Sequence, residues 1–359
     1  MLAHYQYLGF LAAAPVLKDS AQLELMLFFF LSSFLLSHSL ASDPDWTKVS
    51  IFPVASYAIN RVFRIFPLLF IVVTFCWRWS LAFFPASTTL AQALALSVTL
   101  GKAPSVLWTI PVELTFYVFL PVCLRHFLRL TRSPLGASAL TALFAAWCVC
   151  IAVARRYGVP AEVWMTLGFH HYANTFVGGV LLYALLANGH IAFPRAGAAI
   201  AYGAPALFLL AYPFVSRTLF AGDFRMTELD DRAAWQAYYD LIFPFAPFLV
   251  GGIVYGLLHP SRTLLSTVMR AKFLRRSGDI SFGVYLIHIP MIEAFGSRYG
   301  YGDPQFLAAA AATLAVASAL SATVERPAIA LGREIGRRLR GSQDSAARGV
   351  ARPLSSTAG

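Results

Sequence analysis

The stretch SVLWTIPVELTFYVFLPV, residues 105–122, is apolar enough to lie in lipid, yet it carries Glu113 at its middle and Pro111 two residues earlier. Thr109, Glu113 and Tyr117 recur every four residues, so on a helix they share one face, with Trp108 opening the same turn. A charged group near the bilayer centre costs about 2.5–3.5 kcal/mol on insertion scales, which turns it toward a cavity or a partner and makes it a functional candidate. Pro111 frees a backbone carbonyl and is expected to bend the helix there, as suits a segment lining a cavity. The competing reading is a structural carboxylate that holds an arginine or a backbone group.

The rest of the chain repeats this apolar texture. Of 359 residues, 58% are hydrophobic and 13% charged, a balance that excludes an ordinary soluble domain. The expected fold class is all-α, a polytopic transmembrane helical bundle of about ten spans. The spans are expected over residues 1–17, 21–40, 66–84, 105–124, 136–154, 172–187, 196–215, 238–258, 280–295 and 305–324. Between the third and fourth, STTLAQALALSVTLGKA (residues 87–103) is expected to form an interfacial or re-entrant helix. Residues 1–330 make the membrane domain, and residues 331–359, rich in Arg, Ser, Gly and Ala, read as a basic disordered cytoplasmic tail.

The net charge of +11 is read by side of the membrane, and no nucleic-acid partner is expected. With the N-terminus inside, most of the 28 Lys and Arg collect on inside segments: Lys48, Arg61 and Arg64; Arg125, Arg129 and Arg132; Arg195; the group from Arg262 to Arg276; and the tail from Arg326. The positive-inside rule then places both termini in the cytoplasm. The outer loop at residues 216–236, with Asp223, Glu228, Asp230 and Asp231 beside three arginines, reads as a solvated loop ahead of an acceptor-binding one. The four cysteines lie in apolar runs without a CxxC and histidine partners, so neither a disulfide framework nor a metal site is expected.

Three further polar places stand out. In NRVFRIFPLLF (residues 60–70), Arg61 and Arg64 are three apart, on one face of a short juxtamembrane helix expected to end at Pro67. Guanidinium pairs of this kind suit the phosphates of a nucleotide-bearing donor, with lipid headgroups as the alternative. In SGDISFGVYLIHIPMIEAF (residues 277–295), Ser281, Tyr285 and His288 line one face of an otherwise apolar span. The last is His4, in the first turns of the chain, more often a structural or interfacial position than a chemical one.

Taken together, these stretches resemble the integral-membrane acyltransferase 3 family, the O-acetyltransferases of bacterial surface polysaccharides and similar acceptors. WTIPVELTFY fits the family's WSLSVEEQFY-like motif through Trp108, Glu113, Phe116 and Tyr117. Arg61, Arg64, Ile65 and Pro67 match its RxxRIxP, and GDISFGVYLIHIP, residues 278–290, matches its late signature. LFFFLSSF at residues 27–34, FVGGVL at 176–181, and Glu325-Arg326-Pro327 follow in the family's order. Two departures accompany the matches. Ser33 replaces a glycine, and with His4 in the slot of the first-span histidine, the family's basic residue eleven positions earlier would precede Met1.

The resemblance implies a membrane O-acyltransferase, in a bacterial inner membrane, that moves an acyl group from acyl-CoA to a hydroxyl of an exported carbohydrate. Its catalytic candidates are His4 or His288 as base, with Glu113 orienting. Arg61 and Arg64 would hold the donor, and Trp108, Tyr117, Ser281 and Tyr285 would line the cavity. No bound cofactor is expected, and acyl-CoA acts as a substrate. The transfer is expected to be direct or completed by a separate soluble partner. The alternatives are a transporter or flippase of a sugar or acylated substrate, with the intramembrane Glu and His as a proton relay, and a degenerate member that only binds a partner.

Overall fold

A chain this apolar has one economical way to satisfy its backbone away from water, the helix, in which each N–H and C=O is bonded within the segment. The structure, a computed structural model, describes residues 20–43, 46, 52–79, 84–85, 87–100, 102–157, 169–191, 243–258, 267, 271–300 and 302–350. Ten α-helices are found among them. They are α1 Ser20–Ala41, α2 Phe52–Arg78, α3 Leu90–Val98, α4 Thr109–Leu130, α5 Pro134–Tyr157, α6 Phe169–Ala187, α7 Ala246–Leu258, α8 Lys272–Tyr299, α9 Asp303–Leu320 and α10 Arg326–Val350. A π-helical segment, Ser321–Glu325, joins the last two.

Five helices are long and apolar enough to cross a membrane: Pro53–Arg78, Ser105–Leu130, Pro134–Ala154, Arg276–Tyr299 and Pro304–Leu339. Leu25–Ala41, Tyr172–Ala187 and Ala246–Leu258 are shorter apolar helices. The protein is a helical membrane protein, and the described residues do not reach ten spans. The expected spans at residues 1–17 and 196–215, the loop at 216–236 and His4 lie outside the described residues. α3 is one of the expected elements. Its nine residues rise about 14 Å, less than half of a bilayer's hydrocarbon core. Thr89 and Gln92 close its start with a capping box.

Three local expectations are corrected. α2 does not end at Pro67 but runs through it, beginning at Phe52 rather than near residue 66. The proline removes one backbone bond, while Ile65, Leu68, Leu69 and Val72, all under 5% exposed, keep the helix packed on both sides of it. Pro111 is not a mid-helix bend either. A 3-10 turn over Ser105–Trp108 gives way to α4 at Thr109, so Pro111 falls in the first α-turn, where a missing N–H costs little.

The third correction concerns the expected disordered tail from residue 331, which is helical as far as Val350. Its first turns pack on α2 through a glycine pair one turn apart. A Cβ on Gly332 would lie 2.8 Å from the Phe63 Cβ, and one on Gly336 would lie 2.6 Å from the Ser56 Oγ. The bare backbone lets α10 lie directly on α2, a contact invisible to a composition-based reading of disorder.

Inside the bundle, α1, α4 and α6 meet through rings: Phe116 stacks on Phe176 at 4.0 Å, and Phe29 lies 4.7 Å from Phe176. α1 and α6 approach closely where Gly179 faces Ser33; a Cβ there would sit 1.9 Å from the Ser33 Oγ. The Ser33 hydroxyl donates to the Phe30 carbonyl at 2.8 Å, so its polarity is satisfied within its own helix. The serine that departs from the family glycine is thus accommodated by a glycine across the interface. The outer faces are apolar as lipid requires: on α4, Val118 is 73% exposed beside a Tyr117 that is 8% exposed.

Candidate functional site

The face predicted for α4 exists. The Tyr117 hydroxyl donates to Glu113 Oε1 at 2.9 Å, one helical turn away, and both side chains are buried. Ser32, on α1, faces the same cavity as the Glu113 carboxylate. Arg64 and Arg61 of α2 both attract that carboxylate. Arg61 stands over the Tyr57 ring at 5.8 Å and over the Tyr117 ring at 5.9 Å, while these two rings meet edge to face at 6.4 Å.

These groups surround a cavity of about 260 Å³ lined by α1, α2, α4 and α8. Arg61, Arg64, Glu113, Tyr117 and Ser281 all reach it. Five residues singled out in sequence therefore converge, from three helices far apart in the chain. α1 adds Ser32 and Ser39, with Phe28, Leu35 and Leu36 as an apolar wall. Tyr57 Oη, Asn60 Oδ1 and Arg61 Nε are buried with no hydrogen-bond partner among the described residues. Unsatisfied groups of this kind, gathered around an arginine beside a cavity, mark a place built for a polar ligand.

The other candidates lie elsewhere. Tyr285, His288 and Ser281 line a second, more open cavity of about 290 Å³ with Ser277, Ile280, Val284 and Leu314. Ser281 touches both cavities. The Tyr285 hydroxyl donates to the Val106 carbonyl at 2.6 Å, pinning α8 to the 3-10 turn before α4. His288 is 2% exposed, and its Nδ1 lies 2.6 Å from the Tyr285 carbonyl. A carbonyl only accepts, so Nδ1 carries the proton and the basic lone pair of the neutral ring is at Nε2. Trp108 stacks on Tyr172 at 5.2 Å and meets Phe29 edge-on, in the aromatic core and not on the wall of the first cavity.

Sequence reading did not single out Ser32 or Tyr57, although Tyr57 stands four residues before Arg61 and so shares its face. It noted Glu325 only as part of a motif. In the structure Glu325 is 3% exposed in the π-helical segment, a winding often found at functional sites, and it too attracts Arg64.

A family model described as an acyltransferase domain matches residues 6–322, most of the chain. The chain belongs to the acyltransferase 3 family. All the helices that line the two cavities fall within the match, so the Arg–Glu–Tyr cavity is part of the acyltransferase domain itself. The match begins two residues after His4. No curated protein and no solved structure matched the chain. As an acyltransferase of this family, the protein transfers groups other than aminoacyl groups.

Proposed function

We propose that this acyltransferase takes its acyl group from acyl-CoA and delivers it to a hydroxyl of an exported carbohydrate, as an O-acetyltransferase of a bacterial inner membrane with both termini in the cytoplasm. The observation that carries the reading is the pairing of Arg61 and Arg64 on the cavity wall, with the buried Nε–H of Arg61 left for an anion. Guanidinium forks fit phosphate oxygens two at a time, which favours a phosphate-bearing donor over a neutral one.

Glu113 serves as a positioning residue. Its Oε1 accepts from Tyr117 and its carboxylate is attracted by Arg64 and Arg61, a setting that fixes arginine geometry. The proton step falls to an imidazole. His288, with Nδ1 held by a backbone carbonyl, presents Nε2 as an oriented base, in the way a triad's third member orients its histidine. His4 is the rival for that role.

The base takes the proton of the acceptor hydroxyl, the oxygen bonds to the thioester carbon, and the C–S bond breaks. The proton then passes to the departing CoA thiolate.

The test uses purified full-length protein in lipid nanodiscs with labelled acetyl-CoA and a panel of polysaccharide acceptors. CoA release that requires an acceptor and falls with Arg61→Ala is the expected result. Vesicle uptake of sugar or acylated substrate without CoA release identifies a transporter instead.

A further inference from the structure

α10 carries a row of arginines whose position relative to the cavity follows from two contacts. Gly336 packs on Ser56 and Gly332 on Phe63, so rising numbers on α10 meet falling numbers on α2 and the helices are antiparallel. At about 100° per residue, Arg333, Arg326 and Arg337 stand roughly 100–140° around α10 from Gly332, all on one flank. Measured the same way from Ser56, Arg64 and Arg61 stand about 80–140° around α2. In an antiparallel pair both the sense of rotation and the direction of the contact face reverse, so flanks turned in the same sense lie on the same side. The arginine flank of α10 therefore adjoins the arginines of the cavity.

Level matters as well as side. Gly332 touches Phe63, which is next to Arg64, so Arg333 stands near the level of the cavity arginines. Arg337 is one turn, about 6 Å, farther from the apolar run of α2 that follows Pro67. The helical run from Asp303 to Val350 is about 70 Å long, twice what the hydrocarbon core takes, so α10 projects from it.

Arg337 is 76% exposed and shares the single carboxylate of Glu334 with Arg338, at 2.7 and 2.8 Å. Arg326 reaches Asp279 only at 3.8 Å. Arg333 is exposed, and no carboxylate among the described residues pairs with it.

We propose that Arg333 and Arg337 form the outer part of the donor site. They bind the 3′-phosphate at the nucleotide end of the acyl donor, whose diphosphate meets Arg61 and Arg64 and whose acyl end runs on into the cavity. This rests on the acyl-CoA reading above. Phosphate is also the chemistry of a lipid headgroup, but headgroups lie at one depth. This track runs from beside the cavity arginines along α10, as an extended donor with separated phosphates requires.

The experiment measures equilibrium binding of adenosine 3′,5′-bisphosphate, and separately of acetyl-CoA, to the full chain in phosphatidylcholine nanodiscs. The double variant Arg333→Gln/Arg337→Gln is expected to weaken both at least tenfold. Arg338→Gln, on the opposite flank of α10, stays within twofold. Unchanged binding in the double variant, or an equal loss in Arg338→Gln, overturns the proposal while wild-type acetyl-CoA binding leaves the donor reading standing. A double-variant defect that appears only with phosphatidylglycerol discs assigns the track to lipid headgroups and likewise overturns it. A wild-type chain that binds neither ligand overturns the donor reading itself.

Discussion

Tyr117→Phe isolates one bond of the site. The change deletes the hydroxyl that donates to Glu113 Oε1 at 2.9 Å and keeps the ring, which packs edge-on against Tyr57 and beneath Arg61. A hydrogen bond to a charged group contributes about 1.5–3 kcal/mol, and the carboxylate is 4% exposed, so water does not easily replace the lost donor. With every 1.4 kcal/mol worth a factor of ten, the loss corresponds to about 10- to 150-fold if it falls wholly on the arrangement of Glu113 and the arginines it attracts. The account places that loss on the acyl-donor side. The KM for acetyl-CoA is expected to rise by at least tenfold, with kcat changed by less than about threefold. Steady-state CoA release in nanodiscs, with a thermal melt to confirm folding, measures it. A folded Tyr117→Phe protein with wild-type KM refutes the view that Glu113 positions the donor arginines, and a loss confined to kcat reassigns the pair to proton transfer.

Other expectations follow from contacts elsewhere. His288→Gln should lower kcat by about 10²–10⁴ while leaving acetyl-CoA binding intact, as measured by CoA release beside equilibrium binding. Full turnover in that variant passes the role of base to His4. Gly179→Ala places a methyl 1.9 Å from the Ser33 Oγ and 2.5 Å from the Phe30 carbonyl, an overpacking expected to cost about 1–3 kcal/mol in thermal or denaturant stability. Adding Ser33→Gly should recover part of the loss, because it removes the side-chain clash and leaves the backbone one. Gly332→Ala, 2.8 Å from the Phe63 Cβ, should loosen α10 from α2 and raise proteolytic cleavage within residues 326–350, with unchanged digestion as the contrary result.

The site was more legible than the architecture around it. Four-residue spacing put Glu113 and Tyr117 on one face, and the hydrogen bond between them is the direct product of that spacing. Arg61 and Arg64 were legible because charge beside an apolar run is rare enough to stand out. Whether α2 and α4 would meet around them was not legible, since the meeting depends on packing between segments 50 residues apart in the chain. The end of α2 was misread because proline was taken as a stop. Pro67 marks a lost bond inside the helix and not a boundary, while Pro111, expected to bend α4, sits in its first turn. The tail was misread because composition records many glycines without recording that two of them are one turn apart and face Phe63 and Ser56. Trp108 fitted the family motif, but stacking on Tyr172 makes it part of the core that holds the 3-10 turn in place.

The most direct test of where the acyl donor sits is photo-labelling with a diazirine-bearing acyl-CoA, followed by peptide mapping. Labels on Phe28, Leu35 or Leu36 of α1 and on Phe282 of α8, competed away by acetyl-CoA and reduced in Arg61→Ala, are the predicted result. Labels confined to Phe66, Phe70 and Leu94, which line an apolar cavity between α2 and α3, with none on α1, contradict the account.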